Sequence, residues 1–415
     1  MKKGKKIVIV GAGFAGLETA KALKGSEHDV LVLDKTNHHL FQPLLYQVAS
    51  AALSPADIAY PIRAVFRNQE NIDVRLTEVL AIDKQKREVI TDSGNYPYDM
   101  LVLAPGSRHS YFGNDQWEEH APGLKTLRDA LRIRENTLSS FEAADKIEDE
   151  KERKKFLTFV VVGGGPTGVE MAGAIAEISK QTIVNDFKRI TPEDTRVILV
   201  EGASRILTAY SEHLSEDALS SLRSMGVEVL LNSMVTGITS ESIQTSAGEI
   251  PTKNIIWAAG NQASPLIKQL NTETDKMGRA VVGEDLSIPG HPEIFVLGDS
   301  ASYATKDGST LPGTCPVAMQ MGKYVGALLK KDAPVEKRKK FSYFDKGSMA
   351  TIGRARAIAN IQGFQFSGFI AWLMWSFIHV FFLISFRNRF KVMAEWVWFY
   401  ITFKQGTRLI TGKDE

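Results

Sequence analysis

Cysteine is the scarcest residue of this chain: 415 residues contain one, Cys315. A single thiol excludes an intrachain disulfide, a Cys-x-x-Cys redox pair and a thiolate-held metal cluster, and it suits a reducing compartment. Charge imbalance is nearly absent as well. Lys plus Arg number 50 against 48 Asp plus Glu, a formal net charge of +2 that is too mild to imply nucleic acid as a partner. One basic concentration, Lys330, Lys331, Lys337, Arg338, Lys339 and Lys340, reads either as a solvated face or as an attraction to anionic lipid. Long apolar runs are missing until Phe366. From there to Phe386 no Lys, Arg, Asp or Glu occurs, and a second aromatic stretch follows from Val392 to Phe403. At the N-terminus Lys2, Lys3, Lys5 and Lys6 imitate the start of a signal peptide, but Glu18 and a run of glycines interrupt the apolar stretch. The segment therefore reads as the first strand of a cytoplasmic protein.

What is present is dominated by two glycine fingerprints, Gly11-Ala12-Gly13-Phe14-Ala15-Gly16 and Gly163-Gly164-Gly165-Pro166-Thr167-Gly168. Each stands directly behind a β-branched run, Ile7 to Val10 and Phe159 to Val162. In such a turn the first glycine permits the bend, the second lets backbone approach a pyrophosphate, and the third lets helix and strand pack closely, with the helix N-terminus facing the anion. One such site suggests a dehydrogenase. Two suggest electron transfer between nucleotides.

The pattern strand, turn, helix, strand is written in Lys6 to Asp34, with a helix at Leu17 to Leu23 and a strand from Asp29 to Leu33. A second cycle begins at Phe156, after the charged segment Asp145 to Lys155, which reads as a linker or solvated helix end. It continues with a long helix, Val169 to Arg189, a loop from Ile190 to Thr195, and a return strand from Arg196 to Val200 ending at Glu201. Further strands are expected at Met100 to Ala104, Val227 to Leu231, Asn254 to Ala258 and Ile294 to Leu297. The expected class is α/β: two Rossmann-like dinucleotide-binding domains plus a C-terminal helical membrane-anchoring region. The expected boundaries are 1–120 and 285–335 for the two parts of the first domain, 155–280 for the second, and 340–415 for the C-terminal region.

Asp34 and Glu201 end the second strand of their units, where a carboxylate accepts hydrogen bonds from an adenosine ribose; each could also be an exposed loop acid. A carboxylate at 201 repels a 2′-phosphate, so NADH is expected over NADPH. The adjacent His38 and His39 have no metal partner set nearby.

The segment Gly163 to Glu170, the run His38-His39-Leu40-Phe41-Gln42-Pro43-Leu44-Leu45-Tyr46-Gln47, the strand end Phe295 to Asp299 and the aromatic tail together resemble the type II NADH:quinone oxidoreductases, from about Lys6 to Ile410. The resemblance implies a flavoprotein of the respiratory chain that moves a hydride from NADH to FAD and then reduces a membrane quinone, menaquinone or ubiquinone, without pumping protons and without a metal. By position it implies that Gly11, Gly13, Phe14, Ala15, Gly16, Asp34, Lys35, Gln47, Ala104, Gly106, Asp299, Met319 and Gly322 hold FAD. NADH falls to Gly163, Gly165, Thr167, Gly168, Glu201, Ala259 and Gly260. Glu170 matches a family acid near the nicotinamide and quinone region, and charge near a helix N-terminus is its other reading.

Three departures from the family pattern stand out. Pro316 replaces the first glutamine expected at the quinone site, which leaves Gln320 as the amide donor of that stretch. Arg356 stands near the position of a lysine found in some members, and a guanidinium cannot hand over a proton. Ala104-Pro105-Gly106 replaces Ala-Thr-Gly.

The tail from Phe366 to Phe386 is long enough to span a bilayer, yet His379 lies inside it. Trp372, Trp375, Phe381 and Phe382 suit an interface, as do Trp396, Trp398 and Tyr400 farther on, and Arg387, Arg389, Lys391, Lys404 and Arg408 flank them. The resemblance favours a monotopic anchor on the cytoplasmic face of the inner membrane; such apolar helices also suit a homodimer interface. A disulfide reductase or sulfide:quinone oxidoreductase needs two cysteines. A soluble diaphorase or ferredoxin reductase leaves the tail unexplained, and a membrane-bound nucleotide sensor or scaffold is the rival of another class.

Overall fold

The computed structural model describes residues 4–305, 307–402 and 407–410; Lys2, Lys3, Phe403 and Lys404, named above, lie outside them. The backbone divides into two compact units. One comprises Met1–Leu40, Ala59–Arg108 and Asn261–Asp345, the other Phe41–Ile58, His109–Gly260 and Lys346–Glu415.

The first unit is built on a sheet with strand order 287–288, 291–296, 100–103, 6–10, 29–34, 72–76, parallel except for its 287–288 edge. Its central strand, Lys6–Val10, is buried from Ile7 onward, which is why it reads as an unbroken apolar run rather than an alternating one. Helices Phe14–Ala22 and Cys315–Lys330 pack backbone to backbone. A Cβ on Gly322 would lie 2.3 Å from Ala15 O, and one on Gly326 would lie 2.6 Å from Ala22 Cβ. A three-stranded antiparallel sheet, 79–83, 88–91 and 94–97, also belongs to this unit.

The second unit repeats the logic with a four-stranded parallel sheet in the order 227–230, 196–200, 158–162, 254–257. Its core gathers Val160, Val162, Ile198, Val200 and Ile255 around Trp257. The Trp257 indole N–H is satisfied by Ser110 O at 3.0 Å, and the Tyr111 ring lies 5.0 Å away. The helix expected from Val169 to Arg189 is instead the α-helix Pro166–Glu177, which loosens into a π-turn, Ile178–Thr182, and a 3-10 turn, Ile183–Asp186. The charged stretch after Asp145 is helical too, as the end of Leu127–Lys146 and the whole of Glu150–Phe156.

The C-terminal part begins as an antiparallel sheet, Ser348–Gly353, Arg356–Ile361 and Phe364–Ser367. Two helices follow, Gly368–Phe382 and Phe386–Thr402, separated by a break at which Ser385 adopts φ +77°. The apolar stretch from Phe366 is therefore divided between a strand and two helices. The first helix, 15 residues long, reaches about 22 Å, short of the roughly 30 Å of a hydrocarbon core. Among the described residues no helix is long and apolar enough to cross a membrane.

Candidate functional site

Both fingerprints have the geometry their glycines require. Gly11 has φ +91°, and a Cβ on it would lie 2.3 Å from Ala104 O; on Gly16 it would lie 1.8 Å from Gly11 O. Gly13 faces open space at the start of helix Phe14–Ala22 and brings no side chain to cap the first-turn N–H groups. The second turn matches it. Gly163 has φ +108° with a Cβ position 2.9 Å from Ala258, Gly168 would strike Gly163 O at 1.8 Å, and Gly165 is open at the N-cap, followed by Pro166.

The two strand-end carboxylates also match. Asp34 accepts from Ala12 N at 2.7 Å, Thr36 N at 2.7 Å and Thr36 Oγ1 at 2.8 Å. Glu201 accepts from Gly164 N at 2.5 Å and Ala203 N at 2.7 Å. Each acid therefore bonds to the backbone of its own glycine turn, and Lys35 and Thr167 are exposed beside those turns. Phe14 meets the buried His39 edge-on at 5.1 Å, and His39 Nδ1 lies 2.9 Å from Ala12 O; burial lowers its pKa.

Other expected residues are placed as follows. Asp299 Oδ2 accepts from Ser107 Oγ at 2.6 Å, and Gly106, at φ +75°, accepts Ser300 Oγ at 2.7 Å through its carbonyl. Ala104 is buried and Met319 is half-buried. Gly260, at φ +72°, lies under the Phe112 ring, whose Cζ would be 2.6 Å from its Cβ; its neighbour Ala259 packs on the Trp257 core. Gln320 spends its amide on backbone, donating to Phe344 O at 2.9 Å and accepting from Phe344 N at 3.0 Å. Arg356 donates to Ser221 O at 3.2 Å and to Ser224 Oγ.

A cavity of about 640 Å³, counting its open mouth, lies within the second unit. Glu170, Ala174 and Glu177 form one wall, Tyr46 and Gln47 another, Thr351, Gly353 and Arg354 a third, and Trp372, Trp375, Trp396 and Tyr400 line the side made by the C-terminal helices. Gln47 ties two walls together. It donates to Tyr46 Oη at 2.7 Å and accepts from Trp396 Nε1 at 2.7 Å. Helix Phe386–Thr402 is fixed further by Asn388 Nδ2 donating to Ala56 O at 3.1 Å and Lys391 Nζ paired with Asp57 Oδ1 at 2.7 Å.

Burial pushes the Glu170 carboxyl up to about 8, against a hydrogen bond from the Thr351 backbone N–H. Glu177 is pushed up to about 7 by the same cause, offset by the Arg354 backbone N–H and by the charges of Arg354 and Arg356. Tyr46 is raised well above its ordinary value by burial and by Glu170. Two carboxyls whose pKa burial raises toward and above neutrality, in an aromatic cavity, can donate a proton there.

Of the residues lining this cavity, the sequence reading named Glu170, for the nicotinamide and quinone region, and Gln47, for the flavin; it did not single out Glu177, Tyr46, Thr351 or Arg354. Glu177 did leave a signal: it follows Glu170 by seven residues, two helical turns, in a segment otherwise rich in Ala, Gly, Met and Ile.

The chain matches the pyridine nucleotide-disulphide oxidoreductase family over residues 5–322 and the NDH2 C-terminal domain over residues 346–403. It is 42% identical over 424 residues to the type II NADH:quinone oxidoreductase Ndh of Mycobacterium tuberculosis, covering 98% of this chain and 90% of that one. A type II NADH:quinone oxidoreductase of Staphylococcus aureus is 30% identical over 385 residues, covering 88% and 91%. In fold it is similar to NDH2 of Plasmodium falciparum solved in complex with NADH, at TM-score 0.88 and 21% identity, covering 98% of this chain and 100% of the other. With its paired fingerprints and these full-length likenesses, the chain belongs to the pyridine nucleotide-disulphide oxidoreductases and, among them, to the type II NADH:quinone oxidoreductases.

Proposed function

We propose that this chain catalyses the NADH:quinone oxidoreduction of its family with FAD on the first fingerprint, NADH on the second, and the quinone head group in the cavity walled by Glu170. FAD suits the first unit, where Gly13 leaves the uncapped helix end open and Asp34 closes the strand end. When bound, the flavin supplies a two-electron carrier between nicotinamide and quinone. On this reading the first unit is the flavin domain, with Asp299 and the 315–330 helix as its later part, and the second unit holds the nicotinamide nucleotide against Gly165, Thr167 and Glu201.

The placement of Glu170 in an aromatic cavity, with burial pushing its carboxyl up to about 8, is the observation that carries the quinone reading. The Trp375 indole N–H, buried and without a partner among the described residues, supplies a donor that a carbonyl oxygen would satisfy. Of the three sequence-derived candidates for this region, Gln320 bonds to Phe344 and Arg356 to Ser221 and Ser224, whereas Glu170 lines the cavity together with Trp375.

The same helices support a monotopic seat on a bilayer. Ile370, Leu373, Phe377 and Phe381 form an exposed stripe on one helix, and Phe386, Phe390, Met393, Val397 and Ile401 form one on the next, at helical spacing. Trp372, Trp375 and Trp396 of the same helices line the cavity, so a lipid-soluble substrate needs no passage through water to reach it.

Filling the cavity tests this reading. Ala174→Leu is expected to lower kcat/KM for a short-chain menaquinone at least about tenfold while NADH:ferricyanide turnover is retained. Equal turnover of quinone by the variant and the parent enzyme would place the acceptor elsewhere.

A further inference from the structure

Reduction of a quinone by NADH consumes one hydride from NADH and one proton from solvent, and yields NAD⁺ and quinol. The hydride carries both electrons and one proton. The second proton must enter the aromatic cavity from outside, and the cavity has two carboxyls where one would suffice to donate.

Resting on the quinone reading of this cavity, we infer that Glu177 is the entry carboxyl of a two-carboxyl relay along helix Pro166–Glu177: it takes the solvent proton and returns it to Glu170 after Glu170 has protonated the quinone oxygen. Glu170 touches the substrate in this scheme. Glu177 acts through it, as a positioning and resupply residue.

The geometry comes from one glycine. A Cβ on Gly173 would lie 1.6 Å from Ile352 O, so the helix accepts strand Ser348–Gly353 directly against its backbone only because that side chain is missing. Gly173 sits three residues after Glu170 and four before Glu177. The strand it admits delivers one backbone N–H to each acid, from Thr351 to Glu170 and from Arg354 to Glu177. A second glycine supports the outer contact, since a Cβ on Gly353 would be 2.9 Å from Glu177 Oε1.

Both carboxyls line the same cavity, and Ala174, between them, also lines it. Seven residues separate the acids by about 10.5 Å along the axis, too far for direct transfer and bridgeable by water in the space the alanine leaves open. Beyond Glu177 the helix continues into the turn Ile178–Thr182, where Gln181 is exposed.

Charge sets the direction. The charges of Arg354 and Arg356 act to lower Glu177, whereas burial and the Thr351 N–H are the influences on Glu170, so charge favours passage of the proton from Glu177 to Glu170. The other titratable groups facing the pair are Tyr46, Tyr210 and Tyr400; burial and Glu170 raise Tyr46 and Tyr210 above their ordinary values. Arg354 is itself held in place: its guanidinium lies 4.3 Å from the Tyr400 ring centroid and donates to Tyr400 O.

The test is stopped-flow kinetics on the full-length flavin-loaded enzyme, with flavin reduction by NADH and reoxidation by a short-chain menaquinone followed separately between about pH 6 and 9. Glu177→Gln is expected to leave reduction unchanged and to slow reoxidation at saturating quinone about tenfold, with little change in quinone KM and a larger solvent deuterium isotope effect. Glu177→Asp should restore most of the rate. Arg354→Gln, which keeps the backbone N–H and removes the charge, should move the pH midpoint of reoxidation upward. It also serves as the independent test if Glu177→Gln fails to load flavin.

Parent-like reoxidation by Glu177→Gln at every pH overturns the relay, as does a loss that is pH-independent and not restored by aspartate. Glu170→Gln separates the two readings. If it reoxidises normally, the quinone reading of the cavity fails; if it is slow while Glu177→Gln is not, the relay alone fails.

Discussion

Replacing Glu170 by glutamine should stabilise the folded protein while impairing it as an enzyme, and the stabilisation should depend on pH with a definite sign. Burial raises the folded-state pKa from 4.5 to about 8. Below about pH 4.5 the carboxyl is protonated whether the chain is folded or not, and its ionisation costs the fold nothing. Between the two values the unfolded chain ionises while the folded one keeps its proton, so folding takes up a proton and stability declines as pH rises. Above about 8 the loss is complete.

At 1.36 kcal/mol per pH unit the span corresponds to at most about 5 kcal/mol, and because the side chain keeps some exposure to the cavity, about 2–3 kcal/mol is expected. Glutamine keeps the shape and an acceptor for the Thr351 N–H, and it is neutral at every pH. The two proteins should therefore unfold alike near pH 5, with the variant more stable near pH 8 by about 2–3 °C, at roughly 1 °C per kcal/mol for a chain of this length. Flavin fluorescence during thermal unfolding across that range reads the difference. A variant less stable than the parent at pH 8, or a difference that does not change with pH, would refute the assignment of Glu170 as a carboxyl held neutral by burial.

Other expectations follow from single residues. Glu201→Gln removes the charge that a 2′-phosphate would meet, so kcat/KM for NADPH should rise about tenfold, equivalent to about 1.4 kcal/mol, in steady-state assays with each nucleotide. Gly322→Val places its Cβ at a point 2.3 Å from Ala15 O, so the helices 14–22 and 315–330 must separate; a loss of about 1–3 kcal/mol and substoichiometric flavin in the purified protein are expected. Phe377→Asp combined with Phe390→Asp puts charge on the two exposed apolar stripes, and cosedimentation with anionic lipid vesicles should be lost while NADH:ferricyanide turnover persists.

Local chemistry explains which features could be read in the sequence. Gly11, Gly16, Gly163 and Gly168 announce themselves because the clash that each avoids lies within its own strand-turn-helix unit or the next strand. The strands 6–10, 158–162 and 196–200 are apolar, without polar alternation, after their first residue for an equally local reason, burial on both faces. Helix Pro166–Glu177 was overextended because apolar spacing continues through Ile178 and Ile183 while the hydrogen bonding changes to a π-turn, which leaves no mark in the pattern.

The antiparallel sheets at 79–97 and 235–251 are short, edged with polar residues, and carry too little alternation to stand out. The cavity was the least legible part. Glu170 was named by resemblance, yet its neighbours Tyr46, Thr351, Arg354 and Trp396 come from three distant segments, joined by packing that no local window contains.

The central claim is that electrons pass from NADH through a bound flavin to a quinone whose oxygen is protonated at Glu170. Anaerobic double-mixing stopped flow on the detergent-solubilised enzyme tests it most directly: NADH is added first, then a short-chain menaquinone, in the parent enzyme and in Glu170→Gln. The account expects NADH to bleach the flavin equally in both, quinone to restore the oxidised spectrum rapidly in the parent, and restoration in the variant to be slower by about 10²-fold, the low end of what a positioned acid contributes. A flavin that NADH bleaches and quinone cannot restore, or one restored equally fast without the Glu170 carboxyl, would contradict it.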